Sequence, residues 1–88
     1  MSLLIDAIYG NCPVQGEGSV AGKPFYFRAR WEHWSMGIGG DPVVEPEWYR
    51  EQKWGDGPYA AGWMEEEEAK RIIELCAADY LAGRAGNT

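Results

Sequence analysis

The chain lacks most of what catalysis and metal binding require. Its 88 residues hold one histidine, His33, and two cysteines, Cys12 and Cys76. The cysteines stand 64 positions apart with no C-x-x-C between them. A zinc site takes four N, S or O ligands, usually spaced in close pairs, so no metal is expected. The first residues show neither a basic n-region nor a long apolar h-region. Without an export signal both cysteines are expected as reduced thiols in the cytoplasm of a bacterial cell. Long apolar runs are missing as well. Leu3–Ile5, like every other apolar run, falls far short of the ~20 residues of a membrane span, so no membrane is expected. Basic residues are few: 8 against 14 acids, for a net charge of −6 and a pI near 4.6. Binding phosphates needs a basic footprint, which argues against direct contact with nucleic acid.

What remains is ordinary globular material. Hydrophobic residues make up 45% and charged residues 25% of the chain, which excludes global disorder. A chain of this length forms one domain, residues 1–88, with a thin core. The acids are not evenly spread. Residues 41–68 carry nine acids against Arg50 and Lys53, a local charge of −7, while residues 1–40 are neutral and residues 69–88 carry +1. The whole excess sits in one central segment.

The fold expected is α+β: a small antiparallel sheet of three strands, with a fourth if Leu3–Tyr9 pairs rather than packing as an extended arm, covered by one C-terminal helix. Residues 14–40 read as a meander. A turn at Gly22-Lys23 would set Val20 opposite Phe25, Gly18 opposite Phe27 and Gly16 opposite Ala29. It would also set Glu17 against Arg28 on the other face. A second turn at Glu32-His33, or a longer loop of the same parity, would pair Trp31 with Trp34 and Ala29 with Met36. Ala69, Ile72, Ile73, Cys76, Ala77 and Tyr80 recur at three- and four-residue steps, one apolar stripe of a helix over 65–82. Glu65–Glu68 suit its first turn, Gly83 stops it, and residues 84–88 read as a frayed tail. Residues 39–63 read as a long aromatic-rich connection, with a short helix after Pro46. There Trp48, Tyr49, Trp54 and Tyr59 argue for order.

No catalytic constellation emerges from these residues. His33 lies in a turn with no orienting partner in sequence. Cys76 lies on the apolar stripe rather than in an open, electropositive setting, and Cys12 precedes proline in a loop. Gly16-x-Gly18 and Gly37-x-Gly39-Gly40 do not form a phosphate loop. Tyr26, Arg28 and Arg30 share one sheet face, but a single aromatic there falls short of an RNA-stacking platform. Paired carboxylates of glycosidase type need a separation in space, and nothing singles out two of the fourteen acids.

The acids of the central segment alternate with large aromatics. Carboxylates that steer and aromatics that anchor are what a surface for a basic protein would use. In size, acidity and lack of a catalytic centre the chain resembles the small inhibitor proteins of phages and mobile elements, anti-CRISPR proteins and other DNA mimics among them. That resemblance is one of type and carries no motif. It implies a non-enzymatic, cofactor-free, stoichiometric inhibitor. Such a protein occupies a basic surface of an effector complex, such as a Cas protein, and blocks access of target DNA. On this reading Glu45, Glu47, Glu51, Asp56, Glu65, Glu66 and Glu67 face the partner, and Trp48, Tyr49 and Trp54 anchor the contact. The alternatives are a small bacterial protein-interaction or regulatory domain, and a small ligand-binding protein or enzyme with its site under the long connection.

Overall fold

In the computed structural model, which describes residues 2–55, 57 and 60–86, five strands form one antiparallel meander. They are β1 (Leu3–Tyr9), β2 (Val14–Val20), β3 (Lys23–Arg30), β4 (His33–Asp41) and β5 (Glu45–Lys53), in that spatial order. A short 3-10 turn (Ala61–Trp63) leads into α1 (Glu66–Leu81). The class is the α+β one expected, with a larger sheet. Leu3–Tyr9 is a strand and not an arm, and the segment after Pro46 is a strand and not a helix. Proline is tolerated near the start of an edge strand, and β5 is such an edge.

Both inner hairpin turns lie two positions from the expected pairing. The first turn is Ala21-Gly22, with φ of 52° and 79°, the positive pair that a tight hairpin demands. Gly18 therefore faces Phe25, and Gly16 faces Phe27. The second turn is Trp31-Glu32, so Ala29 faces Trp34 and Phe27 faces Met36. A slip of two leaves every side chain on its own face, whereas a slip of one would invert them. The faces come out as expected, but the cross-strand partners change. Glu17 sits opposite Tyr26, and Arg28 sits opposite Gln15, with no carboxylate across from it. Long-range bonds hold the second turn: Ala61 N–H donates to the Trp31 carbonyl at 2.6 Å, and Trp54 N–H to that of Glu32 at 2.7 Å.

In β1 the pairing shifts between Ile5 and Ala7. This bulge at Asp6 brings Ile5 and Ile8, three apart in sequence, onto the same inner side. The inner face holds Val20, Phe25, Phe27, Met36 and Ile38, all fully buried. The stripe of α1 lies on it through Ala69, Ile73, Cys76 and Ala77. At Gly18 a Cβ would overlap the Leu4 carbonyl oxygen and stand 2.7 Å from the Phe25 ring, so only glycine lets β1 and Phe25 close on that point. Glu65 N–H donates to the Glu68 side chain at 3.2 Å, half of a capping box. The other end closes as a Schellman motif. Arg84 N–H donates to the Asp79 carbonyl at 2.9 Å and Gly83 N–H to that of Tyr80 at 3.1 Å, with Gly83 at φ 76°.

The segment read as a frayed tail is docked as far as Gly86. The Arg84 carbonyl accepts from Trp48 Nε1 at 2.8 Å, and the Ala85 carbonyl accepts from Arg50 Nη2 at 3.1 Å. Arg50 also pairs with Asp79 at 2.7 Å, both side chains being largely withdrawn from water, and Arg84 joins from outside at 3.1 Å. The Arg50 and Arg84 hydrogen bonds hold the Asp79 carboxyl below its ordinary value, against a smaller opposing effect of desolvation. A depressed folded value stabilises the fold at pH above the usual carboxylate range, near 3.9. That contribution is lost as pH falls through the folded value. Asp79→Asn is expected to lower the thermal midpoint at pH 7 and to leave it less sensitive to acidification than that of the parent. Melting curves from pH 7 to below 3 check this.

The two thiols are free, Cys12 exposed and Cys76 buried. Burial pushes the Cys76 thiol up to about 11. A thiol reagent should therefore modify one cysteine per native chain and two after denaturation. Two rapid modifications of the native protein would contradict this packing.

Candidate functional site

One face of the sheet carries the helix. On the other face the strands set side chains in register across β2, β3, β4 and β5. One row runs Gln15, Arg28, Ser35, Glu51, and a second runs Glu17, Tyr26, Gly37, Tyr49. A third runs Arg30, His33, Lys53. These rows floor a shallow concavity of about 520 Å³, closed at one end by Pro42 and Val43 and bounded at the other by Trp31. Gly37 makes that shape possible, because a Cβ there would overlap the Pro42 carbonyl oxygen. The β4–β5 turn can thus fold back over the sheet. The Asp41 carboxylate fixes that turn by accepting from Val43 N–H and Val44 N–H, both at 3.1 Å. The turn holds its apolar side chains out to solvent: Val43 is 66% exposed and Val44 79%, and Trp31 at the far rim is 55% exposed.

The ionic groups of this face are unevenly satisfied. Tyr26 donates to Gln15 Oε1 at 2.7 Å, and Tyr49 makes a long contact of 3.5 Å with Glu51. Burial is the main cause that raises both phenols above their ordinary value, so both are neutral hydroxyls at physiological pH. The Arg30 guanidinium stacks on the Trp31 ring, 4.4 Å from its centroid. Arg28 Nε is shielded from water and has no hydrogen-bond partner among the described residues. An unmet buried donor costs roughly 1–3 kcal/mol, more when charged. The missing partner follows from the register, which puts Gln15 and not Glu17 opposite Arg28.

The residues of the acidic segment do not come together. Glu45 is exposed at the start of β5 opposite Asp41. Glu47 is held by Lys23 at 2.7 Å. Its hydrogen bond is the main cause that raises the lysine. Tyr49 and Glu51 line the concavity. Glu65 and Glu66 line a second, smaller hollow of about 410 Å³ with Ile8, Tyr9 and Trp63, and Glu67 follows them, exposed, in the first turn of α1. That hollow adjoins β1, and four strand spacings separate β1 from β5, roughly 19 Å. Trp48 is not a surface anchor. It packs in the core, with Tyr80 edge-on and Arg50 over its ring at 4.9 Å. Trp54 is half-buried against the same core. Asp56 and Tyr59 lie outside the described residues.

Tyr49, expected as an anchor on a short helix after Pro46, stands instead on β5 in the same row as Tyr26, an alignment that the helical reading of that segment hides. The alternation of Trp48 and Arg50 with Tyr49 and Glu51 was the available signal. Among the described residues no group of three or more His, Cys, Asp or Glu could hold a metal ion, and no helix is long and apolar enough to cross a membrane. No protein-family model matches the chain, and no curated protein or solved structure matches it either.

Proposed function

We propose that the protein is a non-enzymatic binding protein that docks through the open, concave face of its sheet. In this reading it inhibits a nucleic-acid-handling effector complex, the anti-CRISPR type of action its sequence resembles, by covering a surface that target DNA must reach. The observation that carries the docking is the composition and shape of that face. Tyr26, Tyr49, Trp31, Arg28 and Arg30 converge on one concavity, and Trp, Tyr and Arg are the residue types that dominate binding energy at protein interfaces. Five strands at about 4.8 Å and seven residues at about 3.4 Å give a face of roughly 24 by 24 Å. With the Trp31 and Val43–Val44 rims this approaches the ~800 Å² per partner of a stable complex. The net charge of −6 steers the protein towards a basic effector from a distance, while contact falls to the aromatic and arginine side chains.

The second reading keeps the contact on the acids. It is favoured by Glu65, Glu66 and Glu67, which stand exposed together at the start of α1. A plasmid-interference assay separates the two. Cells carrying a CRISPR effector and a targeting guide are transformed with the targeted plasmid, with and without the protein, across several effector subtypes. The parent should restore transformation with at least one subtype. Arg28→Glu combined with Tyr49→Ala should abolish that relief in a chain that remains folded by circular dichroism. Changing Glu65, Glu66 and Glu67 to Lys should leave most of it. The reverse pattern would move the interface to the acids, and no relief with any subtype would reject the inhibitor reading.

A further inference from the structure

We infer that the Arg28–Arg30 corner of the open face is a carboxylate subsite, and that it takes an extended acidic segment of a protein partner. This rests on the docking face proposed above and names the chemistry that the face recognises. Of the eight basic residues in the chain, Arg50 and Arg84 are held by Asp79, and Lys23 by Glu47. Lys70 and Arg71 lie on α1. The other three, Arg28, Arg30 and Lys53, fall with His33 on one part of the open face. Strand register brings them there: Arg30 lies across from His33, and His33 across from Lys53. Three of the five cations without an ion pair among the described residues thus stand together on the sheet, with Glu51 as the acid that lines the concavity beside them.

Neither arginine has a carboxylate partner among the described residues. The Arg30 Cζ lies 4.4 Å from the Trp31 ring centroid, a contact with the ring face that leaves guanidinium N–H groups for an incoming acceptor. Arg28 Nε has no acceptor among the described residues, so its side chain breaks no hydrogen bond to them at that atom when it turns to meet one. A guanidinium and a carboxylate match as a two-bond fork. The two arginines are two positions apart on β3, about 6.8 Å along a strand, which is also the spacing of the two acids in an extended Glu-x-Glu segment. The exposed Val43, Val44 and Trp31 at the two ends of the concavity suit apolar side chains flanking those acids. Such side chains favour a peptide over a nucleic-acid backbone, whose unbroken run of phosphates would also meet Glu51 and the overall charge of −6.

The test is a titration of the full-length, isotope-labelled protein with acetyl-Leu-Glu-Ser-Glu-Leu-amide, followed by NMR at the backbone amides and at the arginine Nε–H signals. The same peptide with Gln in place of Glu and a short single-stranded DNA serve as the other arms. The acidic peptide should shift the Arg28 and Arg30 Nε–H signals and the amides of β3 and β4. Arg28→Gln and Arg30→Gln should each weaken its binding about tenfold, as expected for a hydrogen bond to a charged group. Lys70→Gln with Arg71→Gln on the helix should leave it unchanged, and the Gln peptide should bind at least tenfold more weakly. Equal binding of the Gln peptide, shifts confined to other surfaces, or DNA occupying the corner where the acidic peptide does not would each overturn the inference. The titration needs no effector complex. Loss of inhibition in Arg28→Glu/Tyr49→Ala, together with a failed titration, would leave the docking face standing and reject the acidic occupant alone.

Discussion

Ile73→Asp is expected to leave the chain unfolded at room temperature. Ile73 is fully buried, and its Cδ1 occupies the space that a side chain at Gly16 would need. A carboxylate introduced there would have helix on one side and sheet on the other, with no cation built to meet it. An unpaired buried charge exceeds what a domain of roughly 5–15 kcal/mol total stability can absorb. Ile73→Ala grades the same site. Loss of a buried aliphatic side chain costs about 2–5 kcal/mol. Each kcal/mol lowers the midpoint of a domain this small by roughly 4–8 °C, so a fall of at least ~10 °C is expected by circular dichroism. A native-like spectrum and unchanged melting in Ile73→Asp would contradict the packing of α1 on the sheet.

Trp48→Ala should cost the fold about 3–5 kcal/mol, with or without any partner present. Trp48 is 9% exposed. Its ring fills the junction between β5 and α1 beside Tyr80, and its Nε1 ties down the Arg84 carbonyl. A surface anchor would behave differently, leaving stability alone and raising only the dissociation rate of a complex. Trp48→Phe separates packing from the hydrogen bond. It retains most of the ring and should lose about 0.5–1.5 kcal/mol for the missing donor. Chemical denaturation of the isolated protein reads both variants against the parent. An Ala variant as stable as the parent would return Trp48 to the surface.

The contrast between these two residues shows how far the pattern in the chain could be read. Ile73 belongs to a stripe of six apolar residues at helical spacing, and a regular period over about three turns has one interpretation. Trp48 sits beside Tyr49 in a stretch where charge and aromatic residues alternate without an obvious apolar side. Arg50 shares the inner side with Trp48, and a charged residue there hides the period-two pattern. Asp79, 29 positions further on, and the Ala85 carbonyl make that burial tolerable. The hairpin registers failed in a similar way. Glycine and polar residues marked both turns to within one position. At the second turn, bonds from Ala61 and Trp54 hold the observed register, and no local pattern contains them.

The sequence by itself determined which side of β2, β3 and β4 is apolar, the stripe and the limits of α1, and the place of the charge excess along the chain. These follow from local periodicity, which survives a register error of two because side chains alternate with a period of two. Only the tertiary structure decided where the charges stand in space. Folding carries Glu65–Glu67 to the β1 side, holds Glu47 with Lys23, and leaves Arg28 opposite a glutamine. An acidic run in the chain thereby becomes a scattered set of acids around a face whose floor is tyrosine and arginine. The physical reason is that charge pairing depends on which strands neighbour one another and in what register. Those were fixed by burying the inner face and by distant hydrogen bonds, to which the order of charges along the chain is indifferent.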